Sequence, residues 1–124
     1  MKNTIYIVDD DEINNFICEK VIKSTLPDVG IKCFTNSVKA LSMFLESDVD
    51  SHTSILLDLN MPEMDGWEFL KKFKEKKGKC NLYILSTSLN PDDIEEAEKD
   101  PYIKGYISKP LTKENIEMFF STQN

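Results

Sequence analysis

The sequence predicts a doubly wound α/β domain: a five-stranded parallel sheet with helices on both faces, (βα)5 in chain order. Three observations predict it. Short apolar runs alternate five times with stretches of helical periodicity. Most of those runs are continuously apolar, as strands buried on both faces are. The chain has 124 residues, enough for one such domain and about half of what a closed barrel of eight βα units needs.

Each element has its own signal. Ile5-Tyr6-Ile7-Val8 is a β-branched and aromatic run, and it ends in the acidic cluster Asp9-Asp10-Asp11-Glu12, which suits a first helical turn. Ile13, Phe16, Ile17 and Val21 then recur at helical spacing and predict the buried face of the first helix, with Pro27 and Gly30 marking its exit. Ile31 to Phe34 is the second strand. Ser37 reads as the cap of a helix with Val38, Leu41, Phe44 and Leu45 on one face. Ser47 to Thr53 reads as a loop, and Ile55-Leu56-Leu57 is a third strand ending at Asp58. Asp65 caps a helix carrying Trp67, Leu70 and Phe73, and the basic segment Lys71–Lys79 closes it at its negative dipole end. Leu82 to Leu85 is the fourth strand, leading to Ser86-Thr87-Ser88. Asn90-Pro91 opens a helix around Ile94 and Ala97. Gly105 to Ser108 is the fifth strand, ended by Lys109-Pro110, and a last helix begins at Thr112 to Glu114 with Ile116, Phe119 and Phe120 inward.

Composition excludes several classes. Hydrophobic residues are 40% and charged residues 30% of the chain, a globular balance. A net charge of −7 argues against nucleic acid as a partner, because phosphate binding needs clustered Lys and Arg. No run approaches the 18 or so apolar residues of a membrane span, and the first residues lack the pattern of a signal peptide. Cys18, Cys33 and Cys80 are far apart and form no CxxC. They read as reduced, largely buried thiols of a cytoplasmic protein, with neither membrane nor nucleic acid as partner.

In doubly wound sheets ligands bind beyond the carboxyl ends of the strands. The exits here carry Asp9 and Asp10, Asp58, Ser86 and Thr87, and Lys109. Converging carboxylates repel and call for a counter-charge. A hard divalent cation such as Mg²⁺ supplies it through oxygen ligands. A lysine and a hydroxyl then suit the oxygens of a phosphoryl group. Asp58, alone at the end of an apolar strand, is the candidate nucleophile, and the Asp9–Asp10 pair suits metal. Taken singly, each of these groups is an ordinary cap, loop or surface residue. It is their coincidence with strand exits that points to chemistry.

These residues also carry a resemblance. The chain resembles the receiver domain of two-component response regulators, of the chemotaxis single-domain type. The matching segments are Ile5 to Asp11, Leu56-Leu57-Asp58-Leu59-Asn60-Met61-Pro62-Glu63-Met64-Asp65-Gly66, Ile84 to Ser88 and Gly105 to Pro110. The resemblance implies a flavodoxin-like fold of strand order 2-1-3-4-5, and one domain over 1–124 with no output domain. It implies Asp58 as phosphoacceptor, and Mg²⁺ held by Asp10, Asp58 and the backbone carbonyl of Asn60, with Asp9 acting through water. Lys109 would pair with the phosphoryl group. Ser86, or Thr87 one residue on, would be the switch hydroxyl, Tyr106 the aromatic switch, and Lys109–Pro110 a cis peptide. The implied partners are a histidine kinase or histidine phosphotransfer protein and a downstream target protein.

Other features read as structural. His52 is a surface residue, Trp67 a packing residue near Asp58, and Lys71–Lys79 a solvated helix end. Asp48-x-Asp50 lacks the glycine and glutamate of a calcium loop. Two other functions stay open at this level: a Mg²⁺-dependent phosphohydrolase acting through an aspartyl-phosphate, and a phosphorylation-independent adaptor on the same fold.

Overall fold

The five apolar runs are the strands of one parallel sheet, lying side by side in the order second, first, third, fourth and fifth along the chain. A computed structural model of the chain describes residues 3–46, 50–75, 80–88 and 90–120. The strands are β1 (Thr4–Val8), β2 (Gly30–Phe34), β3 (Thr53–Leu57), β4 (Asn81–Ser86) and β5 (Ile103–Ser108). The helices are α1 (Glu12–Thr25), α2 (Ser37–Glu46), α3 (Gly66–Glu75), α4 (Pro91–Lys99) and α5 (Lys113–Phe119). The chain winds outward from β1 in both directions, which puts the switch point of the sheet between β1 and β3.

Burial follows the strand order. The central strand β3 is buried at every position, as a strand covered on both faces must be. Alternation along β1 sends Val8 to one face and Ile5 and Ile7 to the other. On the first face α2 and α3 bury Leu41, Phe44, Phe69 and Phe73 against Ile55, Leu57 and Ile84. Phe44 is the hub: its ring meets those of Tyr6, Phe34, Phe69 and Phe73 edge-on, with centroids 5.0 to 6.1 Å apart. On the second face α1 and α5 bury Cys18, Ile22 and Ile116 against Leu56, Leu85 and Ile107. α4 packs over the edge strand β5 and buries little beyond Ala97.

The phase of α1 differs from the sequence expectation. Ile13, Phe16 and Ile17 are exposed (73%, 61% and 46%), and the inward stripe is Asn15, Cys18 and Ile22. At about 100° per residue these two stripes lie on opposite sides of the helix. The inward choice is set at the first turn. Asp11 caps the helix by accepting from the backbone of Ile13 and Asn14, and buried Asn15 donates Nδ2–H to the Asp9 carbonyl at 3.0 Å. Lys20 partly covers Phe16, its ammonium 5.2 Å from the ring centroid.

Smaller differences have equally local causes. α2 is capped by Asn36, whose side chain accepts from Lys39 N at 3.0 Å. Ser37 is buried inside the first turn, with Oγ donating to the Met64 carbonyl at 2.8 Å. Val38 faces out, and Ala40 takes its inward place. Cys33 is exposed because it lies on edge strand β2, whereas Cys18 is buried and Cys80 half-buried. His52 is exposed, as expected. Part of the loop expected over Ser47–Thr53 and the end of the basic Lys71–Lys79 segment lie outside the described residues, as does Asp48. α5 begins with a Thr112–Asn115 capping box, and Asp65 caps α3 through Glu68 N at 2.9 Å. Gly66 starts α3 against the strand exit, where a Cβ would stand 2.5 Å from the Asp58 carbonyl oxygen and 2.8 Å from Leu59 Cα.

Candidate functional site

The sheet register brings the site together. Val8 pairs with Leu57, so the next residue of each strand, Asp9 and Asp58, stands side by side at the carboxyl edge. The ladder continues there: Asp58 N–H donates to the Val8 carbonyl and Asp9 N–H to the Phe34 carbonyl, both at 3.0 Å. On the other side Ser86 pairs with Ser108, and Lys109 N–H donates to the Ser86 carbonyl at 3.0 Å. Three strands thus deliver their first residues beyond the sheet, Asp9, Asp58 and Lys109, and β4 delivers its last, Ser86, to the same edge. The Lys109–Pro110 peptide that follows is cis.

Three elements hold Asp9. Its Oδ1 accepts from the Asp11 backbone at 2.9 Å. Its Oδ2 accepts from Asn14 Nδ2 at 2.9 Å and pairs with Lys109 Nζ at 2.6 Å. The same ammonium lies 3.6 Å from Asp58 Oδ2. Asp9 and Asp58 are both buried, while Asp10 is exposed. Neither Asn14 nor Asn15 stands out as a site residue in the sequence. Their signal is polar side chains one turn after a strand-exit acid, on a helix whose inward face was expected to be apolar. The Oδ1 of Asn15 is buried with no hydrogen-bond partner among the described residues.

Charge is unevenly compensated. Burial pushes the Asp58 carboxyl up to about 6, reinforced by the negative charge of Asp9 and, more weakly, of Asp10. Lys109 and the N–H of Asn60 pull in the other direction without prevailing, since the ammonium sits closer to Asp9. Burial opposes the charge on Lys109. The hydrogen bond and charge of Asp9, with Asp58 and Asp11 behind it, outweigh that and hold the ammonium above its ordinary range. Among the described residues, the site carries more negative charge than its one lysine balances.

The donor set fits a hard cation. Carboxylate oxygens of Asp9, Asp10 and Asp58 lie within 4.8 Å of one another. All are oxygen ligands with no thiolate or imidazole among them, the chemistry that suits Mg²⁺ rather than zinc or copper. Both oxygens of Asp9 are already engaged, which leaves Asp10 and Asp58 the freer ligands.

Ser86 is fully buried, with Oγ accepting from Ser88 N at 3.1 Å, whereas Thr87 is exposed. Tyr106 is half-buried and donates its hydroxyl to the Ser88 carbonyl at 2.9 Å. Trp67 is half-buried on α3 and donates its indole N–H to Asp93 at 3.2 Å, a polar role that packing alone did not suggest.

A family profile of the response regulator receiver domain matches residues 5–119. The chain belongs to this family. Over 121 residues it is 30% identical to the hybrid signal transduction histidine kinase L of Dictyostelium discoideum, covering 91% of this chain and only 7% of that protein. It is 29% identical over 112 residues to the two-component response regulator ARR22 of Arabidopsis thaliana, covering 90% of this chain and 77% of that one. Among solved structures, a two-component response regulator from Cytophaga hutchinsonii superposes with a TM-score of 0.83 at 30% identity, over 98% of this chain and 97% of that one. A response regulator receiver protein from Dyadobacter fermentans superposes with a TM-score of 0.78 at 27% identity, over 94% of this chain and 97% of that one. The fold of this receiver is therefore flavodoxin-like, and receivers as a class take phosphoryl groups on aspartate and bind Mg²⁺. Among the described residues no helix is long and apolar enough to cross a membrane.

Proposed function

We propose that Asp58 accepts a phosphoryl group from a phosphohistidine on a histidine kinase or phosphotransfer protein, and that this changes the surface offered to a downstream target protein. The observation that carries the reading is the shared ammonium, with Lys109 Nζ at 2.6 Å from Asp9 and 3.6 Å from Asp58 at adjacent strand exits. A carboxylate so placed attacks phosphorus as the phosphorus–nitrogen bond breaks and the imidazole leaves. Lys109 stands where it pairs with the oxygens of the transferred group. The Ser86 hydroxyl donates to one of those oxygens, and Tyr106 follows the loop that carries Ser88. Asp10, Asp58 and the Asn60 carbonyl, with Asp9 through water, would hold Mg²⁺, which would supply the remaining positive charge.

The partner assignment has its own support. Ile13, Phe16 and Ile17 stand exposed on the helix that begins at the acidic cluster. An apolar stripe at the rim of the site favours a protein donor over a free phosphate ester. The reading makes this chain a phosphoacceptor in the cytoplasm and not a hydrolase of external substrates. The surface of α4, β5 and α5 then carries the readout.

The test is intact mass after acetyl phosphate with Mg²⁺. The expected result is a gain of one phosphoryl group, absent in Asp58→Asn. Full labelling of that variant would overturn the assignment.

A further inference from the structure

One carboxylate ties the loop after β4 to two helices. Asp93, in the first turn of α4, accepts from Ser88 Oγ through Oδ2 at 2.8 Å and from Trp67 Nε1 through Oδ1 at 3.2 Å. Every polar group of Ser88 is engaged. Its N–H donates to Ser86 Oγ at 3.1 Å, and its carbonyl accepts from Tyr106 Oη at 2.9 Å. Its hydroxyl serves Asp93 and also accepts from Asn90 N at 3.3 Å. Trp67 and Asp93 line a groove of about 500 Å³ between α3 and α4, together with Leu70, Lys71, Lys74 and Asp100.

We propose that Asp93 is a positioning residue for the Asp58 chemistry: it holds Ser88, and through Ser88 the Ser86 hydroxyl, in the arrangement of the unphosphorylated protein. The inference rests on the reading of Asp58 as phosphoacceptor and Ser86 as a ligand of the phosphoryl group. When the Ser86 hydroxyl turns to a phosphoryl oxygen, the Ser88 N–H must follow it or lose its acceptor. Following it stretches the Ser88–Asp93 bond, a charge-assisted one and so among the stronger restraints in the loop. Breaking that bond frees Asp93 and alters what the Trp67 indole N–H sees. The state of the strand-exit site is thereby passed to α3 and α4 through one side chain. The restraint favours the unloaded arrangement, so removing it shifts the population toward the loaded one.

Trp67 is the only tryptophan of the chain, so its emission reports the surroundings of this joint and no other indole. The experiment follows acetyl phosphate labelling by intact mass at constant Mg²⁺ together with Trp67 emission, in wild type, Asp93→Ala, Asp93→Asn and Ser88→Ala. The wild type is expected to change emission on labelling. Asp93→Ala should label about three- to tenfold faster and show no further change in emission. Ser88→Ala, which leaves the Trp67–Asp93 bond in place, should also label faster, starting from wild-type emission. Asp93→Asn accepts from Trp67 and donates to Ser88 Oγ without the charge, and should label at a rate between those of wild type and Asp93→Ala. Labelling of Asp93→Ala and Ser88→Ala at the wild-type rate with the emission change intact would overturn the proposal alone. Absence of any mass gain in the wild type would overturn the Asp58 reading and this proposal with it.

Discussion

The ammonium of Lys109 is shared unequally, 2.6 Å from Asp9 and 3.6 Å from Asp58. Lys109 and Asp9 are a buried pair, with side chains 13% and 2% exposed. Removing one partner of such a pair leaves an uncompensated charge, typically at a cost of about 3 kcal/mol. Metal-free Lys109→Ala should therefore be less stable than wild type by that order. Mg²⁺ replaces the missing counter-charge, so the gap in melting temperature should narrow as Mg²⁺ is added. An equal gap with chelator and with Mg²⁺ would contradict a shared cation site.

Asp58 gives a pH signature in the metal-free protein. Its carboxyl is pushed up to about 6 when folded, against an ordinary value of about 3.9. Below about pH 4 it is protonated in both states and contributes nothing. Above about pH 6 it is ionised in both, and the folded state bears the whole penalty, up to about 3 kcal/mol. The contribution of this group to stability thus falls as pH rises from about 4 to about 6. Urea midpoints across that range, with chelator present, should show the fall in wild type and lose it in Asp58→Asn.

The exposed stripe of α1 separates two kinds of donor. Truncating Phe16 to Ala removes apolar surface that a protein partner would cover, and central aromatic contacts of that kind are typically worth more than about 1 kcal/mol. Phosphotransfer from a phosphohistidine protein should slow about tenfold, with labelling by acetyl phosphate unchanged. Parallel loss of both rates would place the effect in the site itself.

Phe44 tests the packing under the site. Replacing this hub with Ala should cost about 3–5 kcal/mol, read as a lowered denaturant midpoint. Mg²⁺ affinity of the fraction that stays folded should be unchanged, because the contacts of the ring are those of the aromatic core between α2, α3 and the sheet.

Much of the site can be read in the sequence because strand ends announce themselves. Asp58 and Asp9 each close an apolar run, and the βα alternation makes those runs neighbours in one parallel sheet. Lys109 and Ser86 follow by the same rule. α1 is different. Its apolar residues fall on two stripes, and periodicity cannot choose between them. The choice is made by tertiary partners: Asn15 reaching the Asp9 carbonyl, and Cys18 and Ile22 meeting the sheet. The Asn36 cap is hidden by an adjacent serine that would serve as well locally. The Trp67–Asp93–Ser88 contacts join residues 26 and 5 positions apart on three elements, and no local pattern marks them.

The seat of α3 on the strand exit bears on how variant data for this chain would be read. A substitution scan scored by phosphorylation would rank position 66 beside the residues proposed to react, although glycine has no group to offer a phosphoryl donor. The score would register crowding: any side chain there displaces the main chain from which Asp58, the proposed nucleophile, hangs. Tolerance at 66 and activity at 58 are one constraint, met twice along the polypeptide.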